Sequence, residues 1–119
     1  MEKINKKILI IEDDENFLSI LRKVFDDEGV SIAVAKDGES GVGAAEREKP
    51  DLIISDVLLP RLDGLSMAKK IRALNIQAPI MFLTNTEPED KGSLEFDYFI
   101  KSNLNIDDVV LKAKAKMGL

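Results

Sequence analysis

Five residues spread along this chain have side chains that together can carry out one kind of chemistry. Glu12 and Asp13 follow the apolar run 8–11 in "KILIIEDDEN", Asp56 follows "LIIS", Thr84 closes "PIMFLT", and Lys101 follows "YFI". The three carboxylates offer hard oxygen ligands to a cation of Mg²⁺ size, which would keep several of its waters. Asp56, nearest the middle of the set, has the chemistry of a carboxylate nucleophile toward a phosphoryl group. The cation, Lys101 and the Thr84 hydroxyl would neutralise and hold the transferred oxygens. The run Glu12, Asp13, Asp14, Glu15 also needs an explanation, since two carboxylates roughly 4 Å apart repel by about 4 kcal/mol at an effective dielectric of 20. Open solvent, a bound cation or a retained proton would relieve it.

These residues share a site only if the chain brings them together, and the periodicity of the sequence predicts that it does. "KILII" (7–11), "SIAVA" (31–35), "LIIS" (52–55), "PIMFLT" (79–84) and "YFI" (98–100) are consecutive apolar runs of the kind that form strands covered on both faces. Between the first two, Phe17, Ile20, Leu21, Val24 and Phe25 recur at helical spacing, and Gly29 marks a stop. Residues 39–49 read as a weaker helix, with Gly41 and Gly43 lowering its propensity and Pro50 closing it. Segments 64–74 (Leu65, Ala68, Ile71, Leu74) and 106–117 (Ile106, Val109, Val110, Ala113, Met117) each carry an apolar side. Alternation of strands and helices predicts a doubly wound parallel sheet with helices on both faces. Right-handed crossovers then place every strand's C-terminal end on one edge, where ligands of such folds bind. Between Thr84 and Lys101 lies "NTEPEDKGSLEFDYFI", with Pro88, Gly92 and no helical stripe. The helix that would connect the last two strands is therefore expected to be short, irregular or absent.

Composition bounds the remaining possibilities. The 119 residues suit one domain with a real core, and 45% hydrophobic with 33% charged residues is a globular balance. A net charge of −5 argues against nucleic-acid binding by bulk electrostatics. Absence of cysteine and histidine removes disulfides, thiolate chemistry, imidazole bases and His or Cys metal ligands. The basic start "MEKINKK" is followed by only four apolar residues before Glu12, and no run approaches a membrane span, so a cytoplasmic location is the default expectation.

Taken in order, "ILIIEDDEN", "PDLIISDVLLPRLDG", "PIMFLT" and "DYFIKS" resemble the receiver domain of bacterial response regulators, over essentially the whole chain, 1–119. The resemblance implies a flavodoxin-like five-stranded sheet of order 2-1-3-4-5 and a Mg²⁺-dependent phosphoacceptor in two-component signalling or a phosphorelay. Asp56 would take phosphate from the histidine of a partner kinase or phosphotransfer protein. Asp13 would bind Mg²⁺ directly, Glu12 through water, and the Leu58 carbonyl would add a ligand. Thr84 and Lys101 would contact the phosphoryl group, and Tyr98 matches an aromatic whose rotamer, with Thr84, reports activation. Pro60 and Gly64 match the loop after the phosphoacceptor. The bland reading applies to other acids: Asp14 is explained as a helix cap, and Asp51 and Asp63 as loop and turn residues.

Three departures from the family pattern stand out. Asn85 replaces the usual small residue after Thr84 and is a candidate phosphoryl contact. Ser102 replaces the proline that normally follows the lysine in a cis peptide, which predicts a trans bond here, because a non-proline cis bond costs about 2.5–4 kcal/mol, and a shifted approach of the lysine. The span from Thr84 to Lys101 is also short. In that family the positions held here by Leu58 and Thr86 can help orient a hydrolytic water, and leucine offers no polar group, so slow self-dephosphorylation is expected. The resulting expectation is a stand-alone receiver, catalysing at most its own phosphorylation and dephosphorylation, with an unnamed downstream protein partner and no nucleic acid or membrane. An aspartyl-nucleophile phosphatase would need an acid two residues past Asp56, where Leu58 stands. A cofactor binder would need a glycine-rich loop after the first strand. The remaining alternative is a receiver-like interaction module independent of phosphorylation.

Overall fold

The computed structural model describes residues 4–85 and 96–119. Five strands, β1 (Lys7–Ile11), β2 (Ser31–Ala35), β3 (Leu52–Ser55), β4 (Ile80–Thr84) and β5 (Asp97–Ile100), form one parallel sheet of order 2-1-3-4-5. The helices are α1 (Glu15–Asp27), α2 (Gly38–Glu48), α3 (Gly64–Ala73) and, after β5, α4 (Ile106–Lys116). The expected irregular connection between β4 and β5, with Thr86 in it, lies outside the described residues. This is the flavodoxin-like doubly wound architecture.

The consecutive apolar runs become strands because each successive side chain enters a different core. Ile8 and Ile10 join Leu18, Leu21 and Phe25 of α1 and Val109 and Ala113 of α4 on one face. Leu9 and Ile11 join Ala44 and Ala45 of α2 and Met67 and Ile71 of α3 on the other. Central strands β1, β3 and β4 are buried almost throughout, whereas the outer strands β2 and β5 are mostly half-buried.

Helix phase is where the apolar pattern misleads. The inward stripe of α1 is Leu18, Leu21 and Phe25, while Ile20 is 49% exposed and Phe17 and Val24 are half-buried. In α3 Met67 is buried and Leu74 lies outside. In α1 the apolar residues Phe17, Leu18, Ile20, Leu21, Val24 and Phe25 spread over more than one face, so the roll of the helix on the sheet decides which go in. The stop at Gly29 is real: it adopts φ +79° after α1, and Val30 N–H closes the turn onto Phe25 O.

The two α2 glycines turn out to be unlike each other. A Cβ on Gly41 would lie 2.8 Å from Ile11 Cδ1 and 3.0 Å from Met67 Sδ, whereas one on Gly43 would meet nothing within 4 Å. Gly41 lets α2 lie close against Ile11 of β1 and Met67 of α3, whose side chains would have to give way to a Cβ. Gly43 carries only the propensity cost.

Candidate functional site

The ends of β1, β3, β4 and β5 meet at one edge of the sheet, as parallel register requires. Ile11 pairs with Ser55, Ser55 with Phe82, and Thr84 with Ile100, so the next residues along are Glu12, Asp56 and Lys101. Glu12 is 2% exposed and Asp56 8%. Lys101 Nζ donates to Glu12 Oε1 at 2.6 Å and to Asp56 Oδ2 at 2.9 Å, forming a buried carboxylate–ammonium–carboxylate bridge. This answers part of the crowding problem in "EDDE": one of the acids shares a cation with Asp56, 44 residues further along the chain.

Local structure sets each acid. Backbone N–H of Asp14 donates to Glu12 Oε2 at 3.1 Å, and Asp14 caps α1 by accepting from Asn16 N and Phe17 N. Asp14 is thus the cap expected of it, and exposed Glu15, in the first turn, pairs with Lys36. Asp56 Oδ1 accepts from Leu58 N–H at 3.1 Å, and the Ser55 hydroxyl donates to the Asp56 carbonyl at 2.8 Å. The loop leaving Asp56 turns back through Gly64, whose N–H donates to Val57 O at 2.7 Å. A Cβ on Gly64 would stand 2.5 Å from the Asp56 carbonyl oxygen and 2.8 Å from Val57 Cα. Glycine is therefore dictated by the loop's closeness to the Asp56 backbone. Asp63 caps α3 by accepting from Ser66 N, and Asp51 accepts from Lys7 N, the structural parts expected of both.

Burial raises the Glu12 carboxyl above its ordinary value, only partly offset by its hydrogen bonds to Lys101 and the Asp14 N–H. Burial is also the largest influence on Lys101, pushing it down. Its hydrogen bonds to Glu12 and Asp56 and their charges together outweigh this, so the ammonium form is held more firmly than usual.

The other sequence candidates fall at or near the same edge. Thr84 is fully buried at the end of β4, and its Oγ1 has no hydrogen-bond partner among the described residues. An orphaned buried hydroxyl costs roughly 1–3 kcal/mol, which an incoming acceptor can recover. Asp13 is exposed and joins none of these bonds. Asn85 is exposed immediately after β4, and Leu58 is 65% exposed beside Asp56. Tyr98 is half-buried on β5 with its ring stacked on Phe82, centroids 5.4 Å apart. No cis peptide occurs among the described residues, so Lys101–Ser102 is trans as expected, and Lys101 opens a short 3₁₀ turn (Lys101–Asn103). The ammonium reaches both acids from that backbone.

Two residues were not singled out in the sequence. Ser55 reads there as the end of a strand, and Phe17 as one of a helix's apolar residues. Lys101 Nζ lies over the Phe17 ring, 4.4 Å from its centroid. The available signal was position: an aromatic in the first turn of the helix that leaves the acidic strand end must lie beside that edge.

Among the described residues, no group of three or more acidic side chains is gathered as a ready metal cage. The residues nevertheless fit Mg²⁺. That ion uses one or two carboxylates and keeps waters, and Glu12, Asp13 and Asp56 against Lys101 leave two formal negative charges at the edge.

A five-stranded doubly wound sheet with a lysine-bridged acidic pair and a buried hydroxyl at its C-terminal edge defines the receiver class of α/β domain. The model of the response regulator receiver domain matches residues 8–114, and the chain belongs to that family, whose members act in two-component signalling with histidine kinases or phosphotransfer proteins. It is 38% identical over 109 residues to the alkaline phosphatase synthesis transcriptional regulatory protein PhoP of Bacillus subtilis, covering 92% of this chain and 43% of that protein. With the transcriptional regulatory protein RprY of Bacteroides fragilis it shares 42% identity over 106 residues, 89% of this chain and 42% of that one. The chain thus spans less than half the length of these curated relatives. Among solved structures, a two-component response regulator from Clostridium difficile is similar at 33% identity and TM-score 0.83, covering 95% and 96% of the two chains. The receiver domain of the sensor histidine kinase PA1611 from Pseudomonas aeruginosa is similar at 25% identity and TM-score 0.86, covering 98% of this chain and all of that one. It has a magnesium ion coordinated in its active-site cleft. No helix among the described residues is long and apolar enough to cross a membrane.

Proposed function

We propose that residues 1–119 act as a phosphoacceptor switch in which Asp56 takes a phosphoryl group from the phosphohistidine of a partner kinase or phosphotransfer protein. The observation that carries this reading is the Lys101 ammonium bridging buried Glu12 and Asp56, with the unpartnered Thr84 hydroxyl at the same edge. Leu58 N–H fixes Oδ1 of Asp56 and Lys101 holds Oδ2, which orients the carboxylate. An Asp56 oxygen forms the new O–P bond as the donor's P–N bond breaks, and the imidazole leaves with the bonding pair and takes up a proton. Lys101 shifts one hydrogen bond from Asp56 to a phosphoryl oxygen, and the Thr84 hydroxyl donates to another. Glu12, Asp13, Asp56 and the Leu58 carbonyl would hold Mg²⁺, which supplies charge neutralisation at the transferred oxygens when bound. Asn85, exposed beside Thr84, is a further phosphoryl contact.

Thr84 and Tyr98 form the switch. Tyr98 shares a face with Phe82, so a pull on the end of β4 by the phosphoryl group alters the surface against which that ring stacks. Exposed, apolar Leu58 gives an attacking water no hydrogen bond, which supports a long-lived phosphoaspartate.

The test is incubation with acetyl phosphate, with Mg²⁺ or with EDTA, followed by intact mass. One phosphoryl group, stable in acid, labile in base, dependent on Mg²⁺ and lost in Asp56→Ala, is the expected result. No adduct under any condition would favour an interaction module independent of phosphorylation.

A further inference from the structure

Phe17 has no part in the phosphoryl chemistry above, yet it is built into the site by a closed circuit of contacts. Glu12 Oε1 accepts from Lys101 Nζ, and Glu12 Oε2 accepts from Asp14 N–H. Asp14 Oδ1 then accepts from Phe17 N–H at 3.4 Å, and the Phe17 ring faces Lys101 Nζ at 4.4 Å. The ring is half-buried and packs against the α1–α4 core, which fixes its face toward the ammonium. An ammonium over an aromatic face is attracted by the ring's negative quadrupole, more strongly where water is excluded, and the Lys101 side chain is only 12% exposed.

We infer that Phe17 is a positioning residue for Lys101: its ring is the fixed seat on which the ammonium pivots when it exchanges Asp56 Oδ2 for a phosphoryl oxygen. The need follows from geometry. Lys101 sits at the end of an outer strand, on a trans peptide leading into a single 3₁₀ turn, and its long side chain has many rotamers. Of its contacts, the one to Asp56 must change during transfer, while those to Glu12 and Phe17 are free to persist. Phe17 and Glu12 belong to the same strand-to-helix junction, so the ammonium stays anchored to the first strand throughout. An aliphatic side chain of similar bulk would fill the core position without holding the charge. The inference rests on the proposed phosphoacceptor role for its kinetic consequence, but the seat itself is measurable without it.

The experiment compares wild type with Phe17→Leu and Phe17→Tyr. On unphosphorylated, metal-free protein, ring current from Phe17 should move the Lys101 ε-methylene and ammonium proton signals upfield in wild type and Phe17→Tyr, and not in Phe17→Leu. With acetyl phosphate and Mg²⁺, Phe17→Leu should acquire its phosphoryl group about tenfold more slowly, and Phe17→Tyr within about twofold of wild type. Ordinary Lys101 shifts in wild type, or equal rates for wild type and Phe17→Leu, would overturn the inference. If wild type takes no phosphate, the phosphoacceptor reading fails, and the proton shifts alone decide the seat. If Phe17→Leu does not fold, the wild-type and Phe17→Tyr shifts decide it.

Discussion

The acidic and the cationic halves of this site are built differently. Glu12 and Asp56 leave β1 and β3, central strands whose residues are almost all buried, and the loop after Asp56 is closed by a glycine touching its carbonyl. Lys101 leaves β5, an outer strand of four half-buried residues that among the described residues pairs only with β4. On the β5 side, Asp97 forms ion pairs with Lys116 and Lys112 of α4, at 2.8 and 3.7 Å, and Tyr98 stacks on Phe82. The difference has a chemical logic. Under the proposed phosphoacceptor role, Asp56 and Glu12 would have to stand still while the ammonium changes partners, which fits its being carried by the less enclosed strand and steadied from outside that strand.

The comparison breaks most readily at Gly64. Gly64→Ala puts a methyl group against the Asp56 carbonyl and should destabilise the fold by about 1–3 kcal/mol, read as a lower urea midpoint. On the other side, Tyr98→Leu removes the stack on Phe82 but leaves a half-buried apolar residue, and should cost about 1 kcal/mol in the same titration. An equal or larger loss for Tyr98→Leu would contradict the asymmetry. Within the α2 face, Gly43→Ala should stabilise by about 0.5–1 kcal/mol, because nothing opposes the added methyl. Gly41→Ala should lower stability, and a gain there would mean α2 does not press on Ile11 and Met67.

The smallest effect concerns pH. Hydrogen bonding from Ser66 N–H, then from its hydroxyl, holds the Asp63 carboxyl below the ordinary aspartate value of 3.8. A depressed folded-state value means this cap's contribution is complete above 3.8 and lost as pH falls through the lower value in the folded protein. Asp63→Asn keeps a cap acceptor without a titrating charge and should flatten the acid limb of the stability–pH curve by a few tenths of a kcal/mol. An unchanged limb would remove Asp63 from the account.

Strands were the most legible part of the sequence, because a buried parallel strand is apolar at every position and then stops abruptly at a polar residue. β1, β2 and β3 fall where "KILII", "SIAVA" and "LIIS" predict them, and β4 and β5 differ by one residue at their starts. The meeting of Glu12, Asp56 and Lys101 followed from those stops and the parallel topology. Phase within helices was not legible: Ile20 and Leu18 are equally apolar, and only the docked orientation of α1 buries one and exposes the other. Close packing was also hidden, since Gly41 and Gly43 are the same letter and differ only in what lies opposite. The Phe17 seat combined both difficulties, a helix phase and a contact across the sheet edge to a residue 84 positions away.

The central claim is that Asp56 is the residue that carries phosphate. Borohydride reduces an aspartyl phosphate to homoserine, so the protein treated with acetyl phosphate and Mg²⁺ can be reduced, digested and sequenced by mass. Homoserine at position 56, absent without the phosphodonor, is the predicted result; homoserine at Asp13 or Asp14 instead, or at no position, would contradict the account.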